Sequence, residues 1–287
     1  MKLLDGSKLS SRILEDLKVK VTELSRKNIR VCLGIILVGD RKDSETYVRM
    51  KKKRCQDVGI SNLDVRLPES VSEDQLIQEV ERMNQDPSVH GILVQLPLPS
   101  HINTEKVISK VSVKKDVDGF HPINFGNLSL DREQENTLFP CTPEGIIRLL
   151  DEYKIPIAGK DVTVVGKSSI VGLPVSLMLM HRGATVTVCH SKTKNLKEKT
   201  SGADILIVAC GNPEMITSEY VKQGAVVVDV GINSVDDTTK KSGYRIVGDV
   251  NFRFVEEKCS YLTPVPGGVG PMTIAILLSH TVKIAST

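Results

Sequence analysis

The chain has 287 residues, 40% hydrophobic and 25% charged, an ordinary composition for a soluble protein with material for one large or two medium cores. Its 38 basic and 35 acidic residues leave a net charge of only +3, which argues against a nucleic-acid groove or a membrane-binding surface and leaves a small anionic ligand open. Cys32, Cys55, Cys141, Cys189, Cys210 and Cys259 form no CxxC pair and read as free thiols of a reducing compartment rather than metal ligands.

Short Val- and Ile-rich runs alternate with amphipathic stretches, which predicts an α/β protein of βα units feeding a mostly parallel sheet. The N-terminal DGSKLSSRILEDLKVKVTELSRK is helix-like and carries neither a signal peptide nor a basic transit pattern. Strand-like VCLGIILVG follows, then a helix expected to start at Ser44. Within that helix SETYVRMKKKRC places five cations between Arg49 and Arg54. Such a run usually marks a solvated face, but an anion patch or a single catalytic lysine stays open. The 3.6-residue repeat puts Tyr47 and Lys51 on one face and turns Lys52 and Lys53 about 100° and 200° away from Lys51.

Strand-like LDVRL, helical SEDQLIQEVERMNQ and strand-like HGILVQLPLP come next. Ligands of open α/β sheets bind at the carboxyl ends of strands, so Gln95 is placed for a site, though it could equally cap a turn. KDVDGFHPINFGNL offers Asp116 and Asp118 before Gly119, and lacks the remainder of a twelve-residue calcium loop. Residues 125–145 look polar and irregular and are expected to hold a domain boundary.

The second half runs through DVTVVG, ATVTVCH, ADILIVAC and AVVVDVG, with room for one short helix in each interval. DVTVVGKSSIVGLPVSLMLMHRGATVTVCHS has the layout of a phosphate-binding βαβ unit. Gly166 and Gly172 serve its turn and packing, Ser168 takes the middle glycine's place, and the loop is one residue longer than GxGxxG; a turn that binds nothing remains the alternative. Where NAD enzymes place an acid for the ribose 2′-hydroxyl, the chain has Cys189-His190-Ser191. Lys167 and Ser191 could instead hold a 2′-phosphate, so NADP is expected over NAD. PMTIAILLSHTVKIA closes the chain as a strongly apolar helix, and no run approaches the roughly 20 apolar residues of a membrane span. The expected location is cytoplasmic.

Together SETYVRMKKKRC, GILVQLPLP, KDVDGFHPIN, PCTPEGI, VVGKSSIVGLP, VVDVGIN, GDV and TPVPGGVGPMT resemble the bifunctional methylenetetrahydrofolate dehydrogenase/methenyltetrahydrofolate cyclohydrolase family, in that family's order. The resemblance implies oxidation of 5,10-methylene- to 5,10-methenyl-tetrahydrofolate with NADP, then hydrolysis to 10-formyl-tetrahydrofolate, at a folate site in a cleft between two domains. It implies a catalytic domain at residues 1–140, completed by a C-terminal helix at 271–287, and a Rossmann-like NADP domain at 141–270. Tyr47 matches the folate-stacking tyrosine, Lys51 the catalytic lysine, Gln95 its polar partner and Asp118 the pterin-binding acid. Leu96, Pro97, Pro264, Gly267 and Gly268 fall on further substrate-binding positions. Gly166, Lys167, Ser168, Ile170 and Val171 fall on the cofactor loop, Ser191 beside the 2′-phosphate, and Gly211 and Ile232 on the nicotinamide side.

The implied partners are tetrahydrofolate derivatives, polyglutamylated forms among them, and a second copy in a homodimer, with no metal, nucleic acid or membrane. Two departures stand out. Lys167 replaces the family's common arginine, exchanging a two-pronged donor for a point charge. Lys42-Asp43-Ser44 replaces the usual proline-alanine-serine, with Ser44 expected to cap the helix. At this length the ligase domain that some relatives carry is not expected.

Overall fold

The computed structural model describes residues 1–132, 137–240 and 243–287, with Asp43 described through its backbone alone. The first half contains β1 (Lys2–Leu3), α1 (Gly6–Arg26), β2 (Cys32–Val38), α2 (Lys42–Val58), β3 (Ser61–Leu67), α3 (Glu73–Gln85) and β4 (Gly91–Val94). After them come α4 (Thr104–Ile108), α5 (Pro122–Ser129), α6 (Cys141–Glu152), β5 (Asp161–Val165), α7 (Gly172–His181), β6 (Thr185–Cys189), α8 (Leu196–Ser201) and β7 (Ile205–Val208). The chain finishes with β8 (Val226–Asp229), β9 (Asn233–Asp236), β10 (Tyr244–Val247), α9 (Phe252–Val255), β11 (Tyr261–Leu262) and α10 (Val269–Ala285). Two compact units result: Ser11–Cys141 with Ile274–Thr287, and Met1–Ser10 with Thr142–Thr273. The second differs from the expected 141–270 in taking the first ten residues, because β1 pairs parallel with β11.

The first unit is built on a three-stranded parallel sheet in the order β3-β2-β4. Central β2 is covered on both faces, so it reads as a nearly continuous apolar run. Leu33, Ile35 and Leu37 point into a core with α1, α2 and the Ile274–Val282 part of α10, whereas Ile36 and Val38 point into one with Leu76, Ile77, Val80 and Met83 of α3. This is the two-residue alternation of a strand. A reciprocal capping box, with Ser72 and Gln75 each bonding the other's backbone, fixes the start of α3.

The other unit holds a six-stranded parallel sheet, β1-β11-β8-β7-β5-β6, beside the antiparallel hairpin β9–β10. From β5 the chain moves outward to β6 and then crosses to β7 on the opposite side, so the strand order reverses beside β5. Such a reversal opens a crevice at the strands' carboxyl ends.

Three sequence expectations change. Residues 125–145 are not wholly irregular: they include the end of α5 and the start of α6, because His121 accepts from the Ile123 backbone N–H and Pro122 opens α5. Residues 133–136 of that segment lie outside the described residues. Between β7 and β8 the short helix is a single 3₁₀ turn at Ser218–Tyr220 rather than an α-helix. α2 also begins two residues before the expected Ser44, at Lys42.

Candidate active site

Gly39, at φ 76°, turns the chain sharply out of β2, so helical geometry is established by Lys42 rather than Ser44. Arg41 is the N-cap residue and makes no side-chain capping bond; Ser44 is buried within the first turn, so its expected capping role is not found. The helix ends at Gly59, whose left-handed φ of 86° lets its N–H bond back to the last turn.

One face of α2 carries Tyr47, Lys51 and Cys55 at four-residue steps, half-buried, buried and fully buried in turn. Lys51 is 9% exposed, and its Nζ donates to Gln95 Oε1 at 3.0 Å. Gln95 follows directly after β4, where its own N–H donates to Ile36 O and its Nε2 donates to Leu96 O at 2.7 Å. The Leu96–Pro97 peptide is cis. The other cations of the run are spent elsewhere or left in solvent: Lys52 pairs with Asp64 of β3, Arg54 with Asp57 at 3.2 Å, and Arg49 and Lys53 are exposed. The basic run therefore contains one buried, hydrogen-bonded lysine on a helix whose remaining cations are surface groups.

Asp116 and Asp118 have separate environments. Asp116 is buried and its carboxylate accepts from the N–H groups of Phe120 and His121 and from Asn124 Nδ2 at 2.8 Å. Its acceptor capacity is used in shaping the loop into α5. Asp118 is half-buried, and among the described residues nothing donates to its carboxylate. Burial pushes that carboxyl up to about 6, reinforced by Asp116 and opposed by the charges of Lys51 and His280. Its backbone is held firmly: Val117 O meets Cys141 Sγ at 3.1 Å and His280 Nδ1 at 2.8 Å, and Asp118 O accepts from the Cys141 N–H. A fixed, partly accessible carboxylate with open acceptor sites can take N–H donors from a ligand.

In the six-stranded unit every expected site residue falls at the carboxyl ends of the strands. Gly166 to Val171 follow β5, Ser191 follows β6, Gly211 follows β7, Ile232 follows β8, and Pro264, Gly267 and Gly268 follow β11. A Cβ on Gly166 would lie 2.1 Å from Ala209 O, and one on Gly172 2.1 Å from Gly166 O, so the loop closes only without side chains there. Ser168 Oγ accepts from the N–H groups of Val171 and Gly172 and so braces the loop against the start of α7, whose N-cap residue is Val171. Lys167 and Ser191 are exposed, as are the apolar side chains of Ile170 and Ile232 at 38% and 46%.

Sequence reasoning missed the groups behind these loops. Asp229 and Asp249, each followed by Val, are buried acids joined to the loops after β7 and β8. An acid ending a Val-rich strand was the available signal, since a carboxylate there must find donors nearby. Cys141 was read only as one of the free thiols, and His280 lay unremarked in the apolar C-terminal helix.

The architecture and loops define a two-unit α/β protein, one unit having the strand-switch crevice and glycine turn of a dinucleotide-binding fold. Models of the tetrahydrofolate dehydrogenase/cyclohydrolase catalytic domain and NAD(P)-binding domain match residues 4–118 and 140–287. The chain belongs to the tetrahydrofolate dehydrogenase/cyclohydrolase family. The bifunctional protein FolD of Nautilia profundicola is 50% identical over 285 residues, 99% of this chain and 97% of that protein. The crystal structure of the bifunctional FolD enzyme from Campylobacter jejuni is 51% identical, with a TM-score of 0.95 over 100% of this chain and 99% of that one. The Trypanosoma brucei enzyme, complexed with NADP cofactor and an inhibitor, is 40% identical with a TM-score of 0.94 over 98% and 96%.

Proposed function

We propose that the protein oxidises 5,10-methylenetetrahydrofolate to 5,10-methenyltetrahydrofolate with NADP and hydrolyses the product to 10-formyltetrahydrofolate. The observation that carries this reading is the buried Lys51–Gln95 hydrogen bond, one helical turn from Tyr47 and within electrostatic reach of the unsatisfied Asp118 carboxylate. Asp118 accepts hydrogen bonds from the amino and ring N–H groups of the pterin, and Tyr47 stacks on the folate. Lys51, oriented by Gln95 Oε1, moves the proton when water attacks the methenyl carbon. Leu96 and Pro97, directly after Gln95, add substrate contacts within the same unit, and Pro264, Gly267 and Gly268 are the substrate-binding positions carried by the six-stranded unit. Domain assignments follow the same reading: the folate chemistry belongs to the unit with Lys51 and the cofactor to the six-stranded unit.

The residues present fit a dinucleotide. The glycine turn leaves no Cβ in the path of the chain, and two exposed apolar residues, Ile170 and Ile232, stand at its rim. Gly166, Lys167, Ser168, Ile170 and Val171 hold the phosphates, Ser191 and Lys167 the 2′-phosphate, and Gly211 and Ile232 the nicotinamide side. When bound, the cofactor supplies the hydride acceptor. The missing acid at the end of β6 favours NADP over NAD.

Tetrahydrofolate derivatives are its expected partners, and the near balance of 38 basic and 35 acidic residues speaks against nucleic acid or a membrane surface; no described helix is long and apolar enough to cross a membrane. A cytoplasmic location accords with six free cysteines, and a homodimer is the expected assembly. The test is an absorbance assay of methenyl-tetrahydrofolate formation from the methylene compound with NADP or NAD, followed by its hydrolysis. Neither reaction proceeding above the uncatalysed rate would overturn the reading in favour of a non-catalytic nucleotide sensor.

A further inference from the structure

The loops after β7 and β8 leave the sheet beyond Ala209 and Val230, whose N–H groups still bond Val165 O and Val208 O, and both carry residues assigned above to the nicotinamide side. Their anchors are two buried carboxylates. Asp229, the last residue of β8, is 3% exposed; its Oδ1 accepts from the N–H groups of Gly231 and Asp249, both at 2.9 Å, and its Oδ2 accepts from the Val250 N–H at 2.9 Å. Asp249 is 0% exposed; its Oδ2 accepts from the N–H groups of Cys210 at 2.7 Å and Gly211 at 2.9 Å, and its Oδ1 from Asn233 Nδ2 at 2.8 Å. The connection is serial: Asp229 fixes the backbone of Asp249, whose side chain fixes Gly211 on one side and the residue after Ile232 on the other. A Cβ on Gly248 would lie 1.7 Å from Asp229 Oδ2, so the chain can wrap this carboxylate only through a glycine.

We propose that Asp229 and Asp249 are positioning residues for the cofactor, a two-carboxylate relay that sets the spacing between the Gly211 and Ile232 loops. The inference rests on the cofactor reading above. Carboxylates suit the task because each accepts from several donors, and a neutral hydroxyl or a methyl would leave buried backbone N–H groups without partners. The relay acts through geometry rather than charge, and this sets a specific expectation for Asp249→Asn. The new amide can present its oxygen to Cys210 and Gly211 and donate its nitrogen to Asn233, whose own amide flips to offer oxygen. Asp249→Ala has no such recourse.

The experiment measures NADPH dissociation constants by fluorescence titration, with steady-state dehydrogenase kinetics and NADP-free methenyl hydrolysis, on the full-length wild type, Asp249→Ala and Asp249→Asn. Asp249→Ala is expected to weaken NADPH binding and raise KM for NADP about tenfold while methenyl hydrolysis stays within about twofold, and Asp249→Asn to bind NADPH within about threefold of wild type. Unchanged NADPH binding in Asp249→Ala overturns the relay, and equal losses in both variants overturn positioning in favour of charge. If Asp249→Ala does not fold, Asn233→Ala replaces it: an NADPH constant raised about threefold supports the relay, and an unchanged one overturns it. Wild type failing to bind NADPH would instead refute the cofactor reading itself.

Discussion

Replacing Asp118 by asparagine keeps the side chain's shape and removes its ionisation, which separates what this carboxylate costs the fold from what it gives the ligand. Burial raises the carboxyl from 3.8 to about 6, the opposite of what a salt-bridged structural aspartate shows. At about 1.36 kcal/mol per pH unit the ionised form costs the native state about 3 kcal/mol; solvent reaching the half-buried group screens part of this, leaving about 1–3 kcal/mol. Below about pH 4 the group is protonated in both folded and unfolded chains, and its protonated form carries no penalty. Between about pH 4 and 6 the unfolded chain releases a proton that the fold retains, so stability falls, and above about pH 6 the loss is complete. Ligand-free Asp118→Asn should therefore match wild type near pH 4 and exceed it by about 1–3 kcal/mol at pH 8, while binding folate at least tenfold more weakly. Thermal melts at pH 4 to 8, paired with folate titrations, test this. A variant no more stable than wild type at pH 8, or one whose advantage is the same at pH 4, would refute the reasoning.

Other outcomes are equally specific. Lys51→Met should reduce methenyl hydrolysis at least a hundredfold while methylene oxidation survives in part, with Lys52→Met and Lys53→Met near wild type; separate initial rates decide, and equal hydrolysis in all three removes Lys51 as the acid/base. Lys167→Ala should raise KM for NADP more than KM for NAD, and matching increases would detach Lys167 from the 2′-phosphate. Asp116→Ala leaves two backbone N–H groups and Asn124 without their acceptor, so urea denaturation should show a loss of about 2–4 kcal/mol; unchanged stability would contradict its structural assignment.

Residues whose roles depend on local periodicity were readable before any coordinates. The four-residue step put Tyr47 and Lys51 on one face and turned Lys52 and Lys53 away, though naming Lys51 as the catalytic lysine came from the family resemblance, and the glycine turn after β5 announced its own close packing. Gln95 was different: strand-end position made it a candidate, but its pairing with Lys51 joins residues 44 apart in sequence and was carried by the family resemblance. The choice of Asp118 over Asp116 also came from resemblance, and its physical basis, one carboxylate consumed by the loop and one open, required coordinates. Least legible were features made by distant partners. Two-residue strands β1 and β11 have no period to detect, hairpin β9–β10 is polar and half-exposed, and the Asp229–Asp249 relay draws its donors from three separate loops.

The order in which the chain is made has a bearing on how it folds. Residues 2–3 emerge about 260 residues before their sheet partner, Tyr261–Leu262, and the core around β2 likewise lacks Ile274 to Val282 until the six-stranded unit has been synthesised. Neither unit is a continuous stretch of sequence, so neither can complete itself domain by domain as translation proceeds. Until α10 arrives, the apolar faces of α1 and α2 stay uncovered on the side it fills, and a nascent chain at that stage is a natural client for a chaperone that shields hydrophobic surface.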